Sequence, residues 1–374
     1  MHKEKLIEEV KEFCEKEIKP FAYEWDMKNI YPEDVVKKIA AKGWLGIPFA
    51  KEYGGMGLDT LTFTKVVETI ASYDASCGAI VSTHTALATW PIYQFGNDFQ
   101  KKKYLIDLCN GNKLGAFGLT EEKAGSDAAY MQTTAIEQDD CYLLNGKKIF
   151  ITNSKAADTY VVFALTQQEL KTKGISAFII EKGMPGFSFS EPYDKMGIRA
   201  SITCELHFDN VKVPKENLLG EKNKGFKIAM SALNGGRIGI ASQATGIALG
   251  AYQEALAYSK ERIQFNKPIF EQEVISFKLA DMFTKITASR LLVADAANKK
   301  DNNEDYIVAA ACAKSFASDN AVAVCDEALQ IFGGSGYMKG KFVEKMYRDA
   351  RITKIYEGTN EIQRVIIANY LAKQ

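Results

Sequence analysis

Histidine is scarce in this chain: only His2, His84 and His207 occur in 374 residues. No H-E-x-x-H is present. The seven cysteines (Cys14, Cys77, Cys109, Cys141, Cys204, Cys312 and Cys325) form no C-x-x-C pair and are odd in number. This argues against a metal centre and against a disulfide framework, and it points to reduced thiols. There is no excess of either charge, with 47 basic and 47 acidic side chains, so bulk attraction to nucleic acid or to an anionic membrane is not expected. No stretch approaches the run of about 18 apolar residues that a spanning helix needs. The Lys- and Glu-rich start has no apolar signal core. The expectation is a cytoplasmic protein without membrane insertion; a processed organellar matrix enzyme fits the same features.

What is abundant is apolar surface, 47 % of the chain, enough for two or three domains. Three textures follow one another. Residues 1–115 read as helical, with the stripe Leu6, Val10 and Phe13 extended by Ile7, Cys14 and Ile18, and a loop at Gly54 to Gly57. Residues 116–221 change to short runs of β-branched and aromatic residues: Tyr160 to Leu165, Ile175 to Ile180 and Glu205 to Val213. Asn145-Gly146 there predicts a two-residue hairpin turn. Glycines and prolines punctuate these runs, so the expected middle domain is a small antiparallel barrel or sandwich. Residues 222–374 return to long alanine-rich helices, which suggest a bundle.

Five motifs lie along this frame: Phe117-Gly-Leu-Thr-Glu-Glu-Lys-Ala-Gly-Ser-Asp127, Ile149-Phe-Ile-Thr-Asn153, Glu261-Arg-Ile-Gln-Phe265, Gln330-Ile-Phe-Gly-Gly-Ser-Gly-Tyr337 and Ile355-Tyr-Glu-Gly-Thr-Asn-Glu-Ile-Gln363. Read alone, each has an ordinary explanation. Ser126-Asp127 is a turn or helix start, Arg262 a surface arginine, and Gly333-Gly334 a helix C-cap. A Rossmann loop at Gly333 lacks the preceding strand that such a loop requires. Together, in this order, the five resemble the acyl-CoA dehydrogenase family and its short-chain, butyryl-CoA type over essentially the whole chain.

The resemblance implies an N-terminal α-helical domain, a middle antiparallel β-barrel and a C-terminal four-helix bundle, and a flavin enzyme with FAD. Phe117, Leu119, Thr120, Ser126, Phe150 and Thr152 would border the flavin ring, where Phe150 replaces the tryptophan of many relatives. Arg262, Gln264, Phe265, Gln330, Gly333 and Gly334 would hold the pyrophosphate and adenosine across a subunit boundary, with Thr359 and Glu361 completing the set. Arginine suits that task because its planar fork matches two phosphate oxygens. Asn266 stands where glycine is usual, and asparagine tolerates the left-handed turn expected there. Ser126, Asn234, Arg237 and Gly358 would contact the substrate; Asn234 stands where many relatives carry aspartate.

The family's base matches Glu357. The α proton of a thioester is only weakly acidic, and a desolvated carboxylate is better matched to it than a solvated one. Long-chain and isovaleryl types carry a glutamate at the alternative position, which here is Gly236. The expected reaction is α,β-dehydrogenation of a short acyl-CoA, with electrons passed to an electron-transferring flavoprotein by a homotetramer, a dimer of dimers. The same resemblance covers an enoyl-CoA reductase, an acyl-CoA oxidase and a DNA-associated flavoprotein. The last two often carry additional C-terminal sequence.

Overall fold

The computed structural model describes residues 3–374. Eight helices build the N-terminal part: α1 Lys3–Phe13, α2 Ala22–Lys28, α3 Glu33–Ala41, α4 Thr60–Tyr73, α5 Ala75–Ser82, α6 Trp90–Phe95, α7 Asp98–Gln100 and α8 Ile106–Cys109. The stripe Leu6, Val10, Phe13, Cys14 and Ile18 is buried against Ile39, Trp44, Val67 and Ile70. Asp59 and Asp74 start α4 and α5 by accepting the N–H groups of Thr62 and Cys77, at 2.8 and 2.7 Å. Between α5 and α6 the chain passes through a π-helical turn, Thr83–Thr89.

The middle part contributes β1 Gly115–Gly118, β2 Thr134–Glu137, β3 Cys141–Thr152, β4 Thr159–Leu165, β5 Ile175–Glu181, β6 Phe187–Phe189, β7 Thr203–Pro214 and β8 Leu218–Leu219. These form one sheet in the order β6-β7-β3-β2-β4-β5-β8, with β1 also on β4. The expected closed antiparallel barrel is therefore corrected to an open sheet. Its terminal strands, β6 and β8, span three and two residues and do not pair with each other. β1 and β2 run parallel to β4. β4 is buried along its whole length because both faces are covered. Val161, Phe163 and Leu165 meet Ile92, Leu105, Leu108 and Ile228 on the helical side, while Tyr160, Val162 and Ala164 meet Leu206, Phe208 and Val213 on the other.

The hairpin expected at Asn145-Gly146 is also corrected. Both residues lie inside β3, at an irregularity in its pairing with β7. Gly146 has φ +140°, and a Cβ there would sit 2.6 Å from Thr133 Oγ1, so the glycine serves a close approach within the sheet. The turn into β3 falls instead at Gln138, whose N–H donates to Cys141 O at 2.8 Å.

The C-terminal part is helical: α9 Gly225–Glu261, α10 Glu273–Asp301, α11 Ile307–Phe332, α12 Phe342–Ala350 and α13 Asn360–Leu371. A short hairpin, β9 Ile263–Gln264 with β10 Lys267–Pro268, links α9 to α10. α11 is long and apolar enough to span a bilayer by composition. It packs, however, through Ala310, Ala313, Ala317 and Val324 into the same core as Ile247, Ala251, Met282 and Ile286. It also buries a lysine, Lys314, in its middle. These are the features of a core helix. All seven cysteines are unpaired.

Candidate active site

A cavity of about 270 Å³ opens where the three parts meet. The π-helical turn supplies Thr83 and Leu87, the sheet supplies Phe117 to Thr120 and Phe150 to Thr152, and the 125–128 loop lies at the rim. α9 supplies Phe226, Met230, Leu233 and Arg237, and the segment before α13 supplies Tyr356, Glu357 and Gly358. His84 fixes the π-helical turn from behind. The Gly115 N–H donates to its Nδ1 at 2.9 Å, so Nε2 carries the proton and donates to Leu108 O at 3.0 Å. Burial lowers the His84 pKa to about 4 and keeps the ring neutral.

Glu357 follows a 3-10 turn, Arg351–Lys354, and precedes the α13 N-cap Thr359. Its φ is +52° and that of Gly358 is +87°, two successive left-handed residues. Two buried side chains converge on the Gly358 carbonyl: Lys314 Nζ donates at 2.7 Å and Gln363 Nε2 at 2.8 Å. Tyr356 donates its hydroxyl to Gln243 Oε1, and Gln243 Nε2 donates to Ala75 O at 2.7 Å. The turn is thereby tied to α9, α11 and α13 at once.

The Glu357 Oε2 atom is buried with no hydrogen-bond partner. Burial raises its pKa to about 8, and the opposing pull of Lys314 and Arg237 is weaker. Arg237 is 4 % exposed, donates to Asn234 Oδ1, and buries its Nε without a partner. Gly236 faces the same carboxylate. A Cβ there would overlap the Glu357 carboxyl group and come within 2.7 Å of Leu87 Cδ2.

Opposite, Phe150 (φ +59°) is 62 % exposed and leans on Tyr193, ring centroids 5.2 Å apart. The loop bearing Thr120 is held from below by a buried ion pair, Lys148 Nζ to Glu121 Oε1 at 2.7 Å. Glu121 also accepts the Gln132 and Thr133 N–H groups at 2.6 and 3.0 Å.

The structure thus brings Phe117, Leu119, Thr120, Ser126, Phe150, Thr152, Arg237, Glu357 and Gly358 to one cavity. Asn234 adjoins it through Arg237, and Thr359 through its neighbour Gly358. Arg262, Gln264, Phe265, Gln330, Gly333, Gly334 and Glu361 do not line it. The first three lie on the exposed β9–β10 hairpin, where Phe265 and Asn266 take φ +52° and +60°. Gln330, Gly333 and Gly334 are exposed at the end of α11, and a Cβ on either glycine would meet nothing within 4 Å. Lys314, Thr83 and Leu87 were not foreseen from the sequence, and Gln363 appeared there in a motif without a role. Lys314 carried a signal: a lone lysine at helical spacing from Ala310, Ala311, Ala317 and Ala321, all buried.

Comparison with known proteins agrees with this architecture. Residues 2–112, 116–211 and 223–372 match the N-terminal, middle and C-terminal domains of acyl-CoA dehydrogenase. A short-chain specific acyl-CoA dehydrogenase of Megasphaera elsdenii is 50 % identical over 97 % of this chain and 96 % of its own. The solved butyryl-CoA dehydrogenase from the same organism superposes with TM-score 0.98 at 49 % identity, covering 99 % of this chain and 98 % of that one. A chain solved in work on the electron transferring flavoprotein of Acidaminococcus fermentans gives TM-score 0.98 at 49 % identity, covering 100 % of this chain and 99 % of that one. On this evidence the chain belongs to the acyl-CoA dehydrogenase family.

Proposed function

We propose that the protein removes the α proton and the β hydride from a short-chain acyl-CoA, with Glu357 as the base and electrons leaving to an electron-transferring flavoprotein. The observation that carries this is the Glu357 carboxyl group, buried in the cavity without a partner and with its pKa raised to about 8. A carboxylate left unpaired in a desolvated site is a stronger base than one in water. Arg237, also buried with an unpartnered nitrogen, supplies positive charge to the same space. The Glu357 backbone N–H is assigned to the thioester oxygen, where it would favour charge that develops as the proton leaves.

The residues present fit FAD. The hydroxyls of Thr120 and Thr152 and the ring of Phe150 offer one wall of the cavity. Arg262 and the open backbone at Gly333 and Gly334 offer a surface for the pyrophosphate and adenosine. When bound, FAD supplies the acceptor for the β hydride. Since these two groups do not share one cavity in a single chain, we assign the completed site to an oligomer, a dimer of dimers. The exposed apolar side chains Val274, Phe277, Phe283 and Leu291 on α10 support that assignment. We place domain divisions at 115/116 and 221/222, and the unpaired thiols in a reducing compartment, cytoplasm or organellar matrix.

The test is anaerobic stopped-flow reduction of the bound flavin by butyryl-CoA, with acid release and chromatography to identify the flavin. Rapid bleaching by wild type, lost in Glu357→Gln that still carries FAD, is the expected result. Equal bleaching by both proteins removes Glu357 from the chemistry.

A further inference from the structure

Lys314 is fully buried on α11, yet its hydrogen bonds go to neutral acceptors, Gly358 O at 2.7 Å and Asn360 Oδ1 at 3.0 Å. A buried ammonium is usually matched by a carboxylate in contact, because desolvation of a lone charge is costly. Here the nearest role for the charge is the turn that carries Glu357. That turn needs support: a non-glycine residue at φ +52° persists only where its surroundings over-determine it. Lys314 and Gln363 provide that support by donating to the same carbonyl, that of the residue following Glu357. Asn360, held by Lys314, also bonds Ser318 Oγ at 2.9 Å and Asp319 Oδ1 at 3.0 Å, so the start of α13 is locked to α11.

We propose that Lys314 is a positioning residue for Glu357: it fixes the left-handed Glu357–Gly358 turn through the Gly358 carbonyl. This rests on Glu357 being the base.

The charged and titratable surroundings show which of the two properties of Lys314, charge or donor, acts on the turn. Glu357 faces Lys314 from α11, Arg237 from α9 and the neighbouring Tyr356 hydroxyl. Arg237 in turn faces Tyr306. Beyond Lys314 lie Asp319 and Glu361. Asp319 is already paired with Lys354 at 2.7 Å and Arg364 at 2.8 Å. Burial lowers Lys314 to about 7, partly opposed by Glu357. That lies below the value near 8 of Glu357, so Lys314 has given up its charge where Glu357 ionises, and what it offers the base is the hydrogen bond to Gly358 O, which a neutral amine also donates.

The experiment compares purified, flavin-loaded wild type, Lys314→Gln and Lys314→Met. The rate of flavin reduction by saturating butyryl-CoA is followed across pH, alongside equilibrium binding of crotonyl-CoA. Glutamine keeps a donor for Gly358 O without the charge. It should leave the midpoint of the rising limb nearly in place and the high-pH rate close to wild type. Methionine removes the donor, so its high-pH rate should be at least about tenfold lower. Crotonyl-CoA binding should change little in either. A methionine variant as fast as wild type, or a glutamine variant as slow as methionine, overturns the proposal. So does failure of both to accumulate as folded, flavin-loaded protein, which would assign Lys314 to the fold alone. If wild type itself is not reduced by acyl-CoA, the proposed function fails first, and the two failures are told apart.

Discussion

Two buried clusters of charged side chains sit in this molecule, and they are organised in opposite ways. One joins α12 to the N-terminal helices and to the loop before β7. In it Lys345, fully buried, meets Asp74 at 2.8 Å and Asp349 at 2.6 Å. Arg348 meets Asp26 and Glu344, each at 2.6 Å, and Asp349 accepts the Ile198 N–H at 2.6 Å. The other is the cavity set of Glu357, Arg237 and Lys314, in which no carboxylate touches a cation and two polar atoms are left without partners. In the first cluster burial pushes Lys345 down, but Asp349, Asp74 and Asp26 outweigh it and hold the lysine above its ordinary range, while burial raises Asp349. In the second, burial prevails at acid and base alike, bringing Glu357 up to about 8 and Lys314 down to about 7. A paired cluster keeps its lysine charged and fixes geometry; an unpaired one can exchange protons near neutrality. The Lys148–Glu121 pair limits any rule based on titration alone. Burial lowers Lys148 to about 8 even though it is paired, and its place beneath the Thr120 loop is structural.

The largest expected effects separate the clusters directly. Lys345→Met strands Asp74 and Asp349 in the interior and should lower unfolding stability by about 3–5 kcal/mol, the usual cost of breaking a buried pair. Denaturant unfolding would show it. Glu357→Gln should not lower stability and should reduce the rate of flavin reduction by about 10²–10⁴-fold, or more where water is excluded. If the methionine variant proves as stable as wild type, the contrast between a structural and a chemical cluster fails.

The pH dependence sharpens the same contrast. Glu357 must be ionised to act, so kcat/KM should rise with pH and level off above a midpoint near 8. Stability should respond with the opposite sign. The folded protein holds the Glu357 proton up to about 8, while the unfolded chain releases it near 4.5, so the folded state binds more protons between these values. The stability this group contributes is complete below the unfolded value and is lost as pH rises towards the folded one. Glu357→Gln cannot ionise, so its stability relative to wild type should climb from about pH 5 to about pH 7, below the range in which Lys314 adds its own term. Parallel Tm profiles for the two proteins would count against a raised Glu357.

An exchange of carboxylate positions has a smaller expected yield. Because a Cβ at Gly236 overlaps the Glu357 carboxyl group, Gly236→Ala alone should disturb the base and lower the rate of flavin reduction. Gly236→Glu combined with Glu357→Gly removes that overlap and should recover part of the activity. A double variant no more active than Glu357→Gln would show that the two sites are not interchangeable in this chain.

Much of this arrangement was legible before the structure. Five ordered motifs identified the family, β4, β5 and β7 fall on the β-branched and aromatic runs, and long helices fill residues 222–374 as the alanine-rich texture indicated. That the sheet stays open was not legible, because closure depends on whether edge strands meet, and β6 and β8 are too short to leave a pattern. Asn145-Gly146 misled because glycine serves a close approach as well as a turn, and sequence does not distinguish the two. Lys314 was missed, and Gln363 was seen in a motif without a role, because they act on a backbone carbonyl, which has no letter in the sequence. The separation of Arg262 and Gly333 from the cavity accords with the subunit boundary that the resemblance implied; spacing alone does not show it, since distance in space between helix ends is set by packing.

The smallest expected effect concerns the wall that neither charged cluster governs. Leu87 projects from the π-helical turn into the cavity and is 6 % exposed. Its Cδ2 stands close to Gly236, so it closes the space beside the Glu357 carboxyl group. Leu87→Ala removes three carbons from that wall while His84 continues to hold the turn through Gly115 and Leu108. One methylene in an apolar pocket is worth about 1–3 kcal/mol of discrimination, so hexanoyl-CoA should gain on butyryl-CoA in kcat/KM by about tenfold or more. Stability should fall by about 2 kcal/mol, near the lower end for leucine truncation, because one side of Leu87 already faces open space. The pH midpoint should stay where it is, since no charge has moved. A shifted midpoint with unchanged chain-length preference would place Leu87 in the support of Glu357 instead of the acyl wall, and would extend the unpaired cluster's control to the apolar side of the cavity.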